Sequence, residues 1–249
     1  MQRNNSRGKS YCSRPLYVGL ATYNEVENLP ELVASIHAVL PEANVLVVDD
    51  NSPDGTGRWC QSFAEDNPWF TCIVREGKEG LGSALALLMQ TAIEREATHL
   101  VTLDADWSHP PERLPALIAA SEYADVVVGS RYCAGGAIEG WPWHRRMMSR
   151  LVNRSSRIIL GIPIGDFSGN FRVYNCRLLA EVSWEELRSD GYAFIEEVLW
   201  HLKAAGATFA EVPITFVDRK AGDSKISWRE MVGAMRLLSS LAWRRVSGR

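Results

Sequence analysis

Near-continuous apolar runs alternate with amphipathic stretches along most of this chain. LYVGLAT (16–22), NVLVVDD (44–50), TCIVR (71–75), HLVTLDAD (99–106) and DVVVGSRY (125–132) read as strands. Between them lie helical stretches: ELVASIHAVL after Asn28-Leu29-Pro30-Glu31, a segment running through Phe63, then GLGSALALLMQTAIERE and PERLPALIAAS. Strands that are apolar along their whole length are buried on both faces. That is the mark of an α/β, Rossmann-like, mostly parallel sheet with helices above and below. After Gly161 the alternation loosens: FRVYN and ATFAEVPITFV read as strands, and residues 194–205 as a helix. The reading is one α/β domain over 15–226. A disordered polar lead-in over 1–14 precedes it, and an amphipathic helix over 227–249 follows.

Composition narrows the classes. With 249 residues, 46% apolar and 23% charged, the chain can bury a real core. A formal net charge of −3 gives no general nucleic-acid signal, so any basic function must come from local clusters. MQRNNSRGKSYCSR has no apolar centre and is not a secretory signal. No uncharged apolar run reaches the roughly 18 residues of a spanning helix, so the chain is expected not to cross a membrane by itself. Cys12, Cys60, Cys72, Cys133 and Cys176 show no CxxC or Cys/His spacing and read as ordinary thiols in a reduced compartment. His37, His99, His109, His144 and His201 lack ligand spacing too, and ordinary roles are expected for them.

In sheets of this kind ligands bind beyond the carboxyl ends of the strands, and the polar clusters sit there: ATYNE, DDNSPDGT, DADWSH and GSRY. Asp104 and Asp106 face one side in extended backbone. Two such carboxylates repel unless a proton or cation lies between them, which a hard divalent ion resolves; capping aspartates at a solvated strand end are the other reading. Pro53, Asp54 and Gly55 make a tight turn. A turn does not by itself need Asp49-Asp50 before it, and Asp50 is suited to accept hydrogen bonds from a nucleobase or ribose. Gly80-Leu81-Gly82 lacks Rossmann and P-loop spacing and starts a helix.

The segments ATYNE, VVDDNSPDGT, KEGLGSA, LDADWSHPPE, VVGSRY, DFSGNFRVY, GYAFIEE and EVPITFVDRKAGDSK occur in this order. Over roughly residues 15–228 the chain thereby resembles the dolichyl/polyprenyl-phosphate mannosyltransferases, inverting glycosyltransferases of GT-A fold. The resemblance implies a GDP-mannose donor, a polyprenyl phosphate acceptor and a divalent metal, Mg²⁺ or Mn²⁺. It puts guanine and ribose against Ala21, Tyr23, Glu25, Val48 and Asp50. Diphosphate, metal and mannose fall near Asp104, Ala105 and Asp106, with Ser108 an additional metal ligand. Arg131, Arg219 and Lys225 would contact phosphates and, with Asp106, carry catalysis. Ala21 stands where the family usually has proline.

A lipid acceptor requires contact with a membrane surface. In residues 141–161, Arg146, Arg150 and Arg154 recur at i, i+4, i+8 beside Met147, Leu151 and Ile158. Like charges at that spacing cost helix stability, so an anionic partner is attractive. An interfacial helix whose arginines, with Arg131, meet lipid phosphate is the favoured reading; a solvated face over a core face is the alternative. The C-terminal helix fits core packing as well as membrane or partner contact. Residues 217–225 are expected to form a lid, with Gly222 as its hinge. The expectation is a peripheral enzyme on the cytoplasmic membrane face, with a small membrane subunit an open partner. A related transferase using another nucleotide sugar such as UDP-glucose, or a non-catalytic docking subunit, are the competing readings.

Overall fold

The computed structural model describes residues 15–187 and 189–218. The lead-in, the lid residues from Arg219 to Lys225 and the C-terminal amphipathic helix lie outside the described residues.

The expected strands form as β1 (Leu16–Thr22), β2 (Asn44–Asp49), β3 (Phe70–Val74), β4 (His99–Asp104) and β5 (Val126–Ser130). β1 pairs in parallel with β2 and β4, and β2 with β3. Between them run α1 (Leu29–Val39), α2 (Thr56–Asp66), α3 (Leu81–Glu94) and α4 (Leu114–Ala120). Alternate strand residues bury on opposite faces. Leu46, Val48, Leu100, Val126 and Val128 join α3 in one core. Val18, Leu20, Val45, Val47, Val101 and Leu103 join α1 and α4 in the other. Asn28 precedes α1 but does not cap it with its side chain; its amide donates instead to Glu25 Oε2 at 2.9 Å.

The second half departs from the simple alternation. β6 (Ala137–Glu139), α5 (Trp143–Leu160), β7 (Arg172–Asn175), α6 (Cys176–Leu179), α7 (Tyr192–Ala204), β8 (Phe209–Pro213) and β9 (Thr215–Val217) complete the described chain. The main sheet runs β3-β2-β1-β4-β7-β5-β8. β7 inserts antiparallel between β4 and β5, and β8 pairs in parallel with β5. The continuous strand expected over 207–217 divides at Ile214, which is buried, so that β9 leaves the main sheet to pair with the unanticipated β6. Gly136, in the turn before β6, has no room for a side chain: a Cβ there would lie 2.6 Å from the Ser130 carbonyl oxygen.

α5 and α7 meet through polar groups. Ser156 Oγ donates to Glu196 Oε1 at 3.0 Å, while Glu196 Oε2 is buried with no partner among the described residues. Burial pushes the Glu196 carboxyl up to about 7, with the Ser156 bond and Arg172 pulling the other way. A carboxyl that holds its proton in the fold and loses it in the unfolded chain lowers stability as pH rises from 4.5 to about 7. Glu196→Gln should therefore match the unmodified protein at pH 4. At pH 8 it should be more stable by on the order of 3 kcal/mol, read from denaturant or thermal unfolding. Equal stability at pH 8 would mean the carboxylate is well solvated.

Candidate active site

The strand order reverses direction between β1 and β4, which opens a crevice at their carboxyl ends. Ala21 lies in register with Val48 on one side and Asp104 on the other, so three residues distant in sequence form one shelf. Tyr23 lies in the loop beyond it, with Lys78 Nζ 3.6 Å above its ring.

The aspartate-rich loop after β2 is a knot. Asp49 accepts from Thr22 Oγ1 at 2.9 Å and from the Ser52 amide and hydroxyl at 2.9 and 2.6 Å. Asp54 accepts from the Val26 amide and from Thr56, and Thr56 Oγ1 accepts the Glu25 amide. Asp50 takes the amides of Glu79 and Gly80, each at 2.8 Å, and pairs with Arg75. The three carboxylates thus join the first, second and third loops. Asp50 is buried with most of its acceptor capacity already used.

The carboxylates after β4 are arranged differently. The strand stops at Asp104, short of the expected Asp106, and Trp107 turns the chain with φ +64°. That left-handed conformation is costly for a bulky side chain and is held by its surroundings. The Ser108 amide donates to Asp106 Oδ1 at 3.1 Å. Burial and the neighbouring Asp106 charge push Asp104 up, against the pull of the Asn170 hydrogen bond and the Arg131 charge. Asn170 Nδ2 donates to Asp104 Oδ1 at 3.2 Å. Ser108 Oγ and Asn170 Oδ1 are buried with no partner among the described residues. Two neighbouring carboxylates and two unpartnered oxygens thus gather at the end of β4.

His109, given no special role from spacing, lies at this strand end. Its Nδ1 accepts the Asp104 amide at 3.0 Å, which leaves the ring proton on Nε2. It stacks on Phe171 at 5.2 Å, and burial pushes its pKa down despite the nearby aspartates. The ring is therefore a neutral prop for the strand end.

Arg131, at the end of β5, is buried and held by Asp166. Its Nε and Nη2 reach the two carboxylate oxygens at 2.7 and 2.6 Å, and its amide adds a third bond at 3.0 Å. Nη2 also donates to Ser168 Oγ at 2.8 Å. Among the described residues these bonds use Nε and Nη2, and the Tyr132, Trp141 and Phe216 rings lie 5.5, 5.5 and 5.2 Å from the guanidinium carbon. Arg172 steadies the same loop from below, its Nη2 donating to the Phe167 carbonyl at 2.6 Å. Asp166, Ser168, Asn170 and Arg172 all come from DFSGNFRVY, a segment quoted in the sequence without a role for its polar positions.

α5 turns its apolar stripe outward. Trp143, Met147, Leu151 and Ile158 are 74%, 56%, 62% and 67% exposed, while its buried positions are Asn153, Ser156 and Leu160. The alternative of a core-facing stripe fails. Arg150 and Arg154 are exposed beside it, whereas Arg146 bends back to the Trp141 carbonyl at 3.0 Å. Arg145, not anticipated, lies 3.9 Å over the Trp141 ring and pairs with Asp218 at 3.2 Å.

Solved structures locate the fold. Glucosyl-3-phosphoglycerate synthase from Mycobacterium tuberculosis, crystallised with Mn²⁺, UDP and glucosyl-3-phosphoglycerate, matches with a TM-score of 0.64 at 17% identity, over 92% of this chain and 80% of that one. The sheet and its flanking helices have the GT-A fold. The Glycosyl transferase family 2 profile matches residues 17–183, and the chain belongs to that family. It is 40% identical over 208 residues to the undecaprenyl-phosphate mannosyltransferase of Micrococcus luteus, covering 84% of this chain and 86% of that protein. To the polyprenol monophosphomannose synthase of Mycolicibacterium smegmatis it is 39% identical over 218 residues, 87% of this chain and 82% of that one.

Proposed function

We propose that this enzyme transfers mannose from GDP-mannose to a polyprenyl phosphate with inversion, giving polyprenyl phosphate β-mannose. The observation that carries the reading is the pair Asp104 and Asp106 at the end of β4, in register with Ala21, with the Ser108 and Asn170 oxygens unpartnered among the described residues and Arg131 near enough to act on Asp104. The relatives named for mannosylation of undecaprenyl phosphate and polyprenol support the acceptor class. The ordered motifs support GDP-mannose as donor.

Asp104, Asp106 and Ser108 suit a hard divalent cation, Mg²⁺ or Mn²⁺: the donors are oxygens, the paired carboxylates repel each other without a counterion, and the Ser108 hydroxyl lacks a partner among the described residues. Bound there, the ion would supply positive charge against the departing diphosphate. Ala21, Tyr23, Glu25 and Asp50 are assigned to the nucleoside, and Val48, fully buried in the core beside Ala21, backs that place without reaching its surface. Ala105 forms the floor beneath the diphosphate. Arg131, locked by Asp166, brings its charge to phosphate without rearranging, which is how preorganised charge lowers a barrier. Arg219 and Lys225, outside the described residues, are assigned phosphate contacts by their motif. The acceptor's phosphate monoester has a second pKa near 6 and is ionised at neutral pH. No general base is needed, and none is assigned.

The outward face of α5 is suited to an anionic lipid surface, with Trp143, Met147 and Leu151 entering the headgroup layer between arginines. No helix among the described residues is long and apolar enough to cross a membrane, and docking on the cytoplasmic face is the arrangement proposed. Replacing Arg146, Arg150 and Arg154 by Gln should weaken binding to anionic vesicles and raise the KM for polyprenyl phosphate, with GDP-mannose affinity little changed. Unchanged vesicle binding and lipid KM would reduce the stripe to a solvated face.

The deciding experiment is transfer of labelled mannose from GDP-mannose to polyprenyl phosphate in micelles, with and without divalent metal. UDP-glucose is run in parallel. Metal-dependent transfer from GDP-mannose is expected. Transfer only from UDP-glucose would move the reading to the competing donor.

A further inference from the structure

α5 carries two unlike faces, and the buried one leads to the active site. Ser149 and Asn153 are one turn apart and face the protein, opposite Met147 and Leu151. Asn153 is only 3% exposed and uses both ends of its amide. Its Oδ1 accepts the Phe167 amide at 2.6 Å and the Ser168 amide at 3.3 Å. Its Nδ2 donates to the Ser149 carbonyl at 2.8 Å and approaches Ser168 Oγ at 3.4 Å. That same hydroxyl accepts from Arg131 Nη2. A second tie runs beside the first, from the Tyr132 hydroxyl to Ser149 Oγ at 2.6 Å. The residue that anchors Arg131, Asp166, sits two positions before Ser168 on the same loop.

We infer that Asn153 is a positioning residue that fixes the Arg131 guanidinium at a set depth beneath the lipid-facing side of α5. This rests on the acceptor and docking proposed above. A lipid phosphate in a bilayer lies at a height set by the membrane. An enzyme seated on that membrane by α5 can meet it only if its phosphate-binding group stands at the matching depth. Hydrogen bonds between neutral groups are directional, and a bridge one residue long from helix to loop transmits position with little play. Sequence-distant ties of this kind also explain why α5 buries Asn153 and Ser156 beside Leu160, where a helix packed for stability alone would bury apolar residues. A short prenyl phosphate free in water has no fixed height, and it can follow Arg131 wherever the guanidinium stands.

The test compares two acceptors. Asn153→Ala removes the bridge, and Ser168→Ala removes the hydroxyl shared by Asn153 and Arg131, leaving Asn153 to hold the loop amides. Each is assayed with a long polyprenyl phosphate in anionic vesicles and with a water-soluble ten-carbon prenyl phosphate. Both variants should lose about tenfold or more in kcat/KM on the vesicle acceptor, since small misplacements at a reacting centre are costly. With the soluble acceptor, the GDP-mannose KM and vesicle co-sedimentation, Asn153→Ala should stay within about twofold of the unmodified enzyme. Equal losses by Asn153→Ala on both acceptors would overturn the inference, leaving Asn153 as general support for the loop. So would loss of vesicle binding or of donor affinity. If the unmodified enzyme uses neither acceptor, the proposed acceptor falls first and the positioning role falls with it.

Discussion

Asp106→Asn should cut mannosyl transfer by about 10²–10³ while leaving the fold intact. The magnitude is that of removing one preorganised electrostatic contact from a transition state in which the leaving diphosphate gains charge. The fold should survive because Asp106 lies beyond the end of β4, in a bend of the chain. Stability should if anything rise when no divalent ion is added, since the substitution relieves the repulsion that helps push Asp104 up. The two readouts separate the roles. Transfer that remains near normal with saturating Mg²⁺ and Mn²⁺ would remove Asp106 from the metal site, and a collapsed thermal midpoint would make it a structural residue. The same variant should bind Mn²⁺ more weakly by titration, whatever its residual activity.

Asp166→Ala should be damaging in a different way. Asp166 is fully buried, and it takes three hydrogen bonds from Arg131. Burial alone would raise its pKa, but the Arg131 charge and hydrogen bonds outweigh that and hold it below the usual carboxylate range. Breaking a buried pair by deleting one partner leaves an uncompensated charge and costs about 3–5 kcal/mol. For a protein of this size that is a fall in thermal midpoint of roughly 10 °C. Transfer should fall too, because Arg131 loses the carboxylate that fixes its direction. The sign of the pH dependence follows from the depressed pKa. The contribution is fully present above the unfolded value near pH 4 and is lost as the pH falls through the folded one. The stability gap between the two proteins should therefore be wide at pH 7 and shrink in acid. A gap that persists undiminished at pH 2 would mean that the loss comes from packing and not from charge. Arg131→Lys should rescue little, since a point charge cannot reproduce the paired geometry of the guanidinium.

The parallel strands and the helices between them were legible because their signals are local. A run such as Val45–Val48 cannot leave either face in water, and Pro30, Gly55 and Gly80 mark where helices begin. The placement of chemistry at strand ends was legible for the same reason, since polar residues cluster where apolar runs stop. β6, α6 and the antiparallel setting of β7 were not legible. A four-residue strand has too short a pattern to reveal its partners, and its direction depends on where the chain returns after α5 and not on its own residues.

Which carboxylates are tied into the fold by hydrogen bonds and which sit beside another carboxylate was decided only in three dimensions. Asp49, Asp50, Asp54, Asp104 and Asp106 all end strands or enter turns, and their local sequence does not rank them. The first three meet donors from Thr22, Val26, Arg75 and Gly80 that folding brings across the crevice. Asp104 shares its surroundings with another carboxylate and with the unpartnered oxygens of Ser108 and Asn170. Arg131 finds Asp166 at a sequence separation of 35, and α5 presents outward a stripe that a core-packed helix would have hidden. Hydrophobic periodicity and turn chemistry act between near neighbours, so the sequence alone determined the α/β sheet, its loops and the residue types at their tips. Hydrogen bonds and burial are settled between residues far apart in the chain, so only the tertiary structure decided which of those residues are already spoken for.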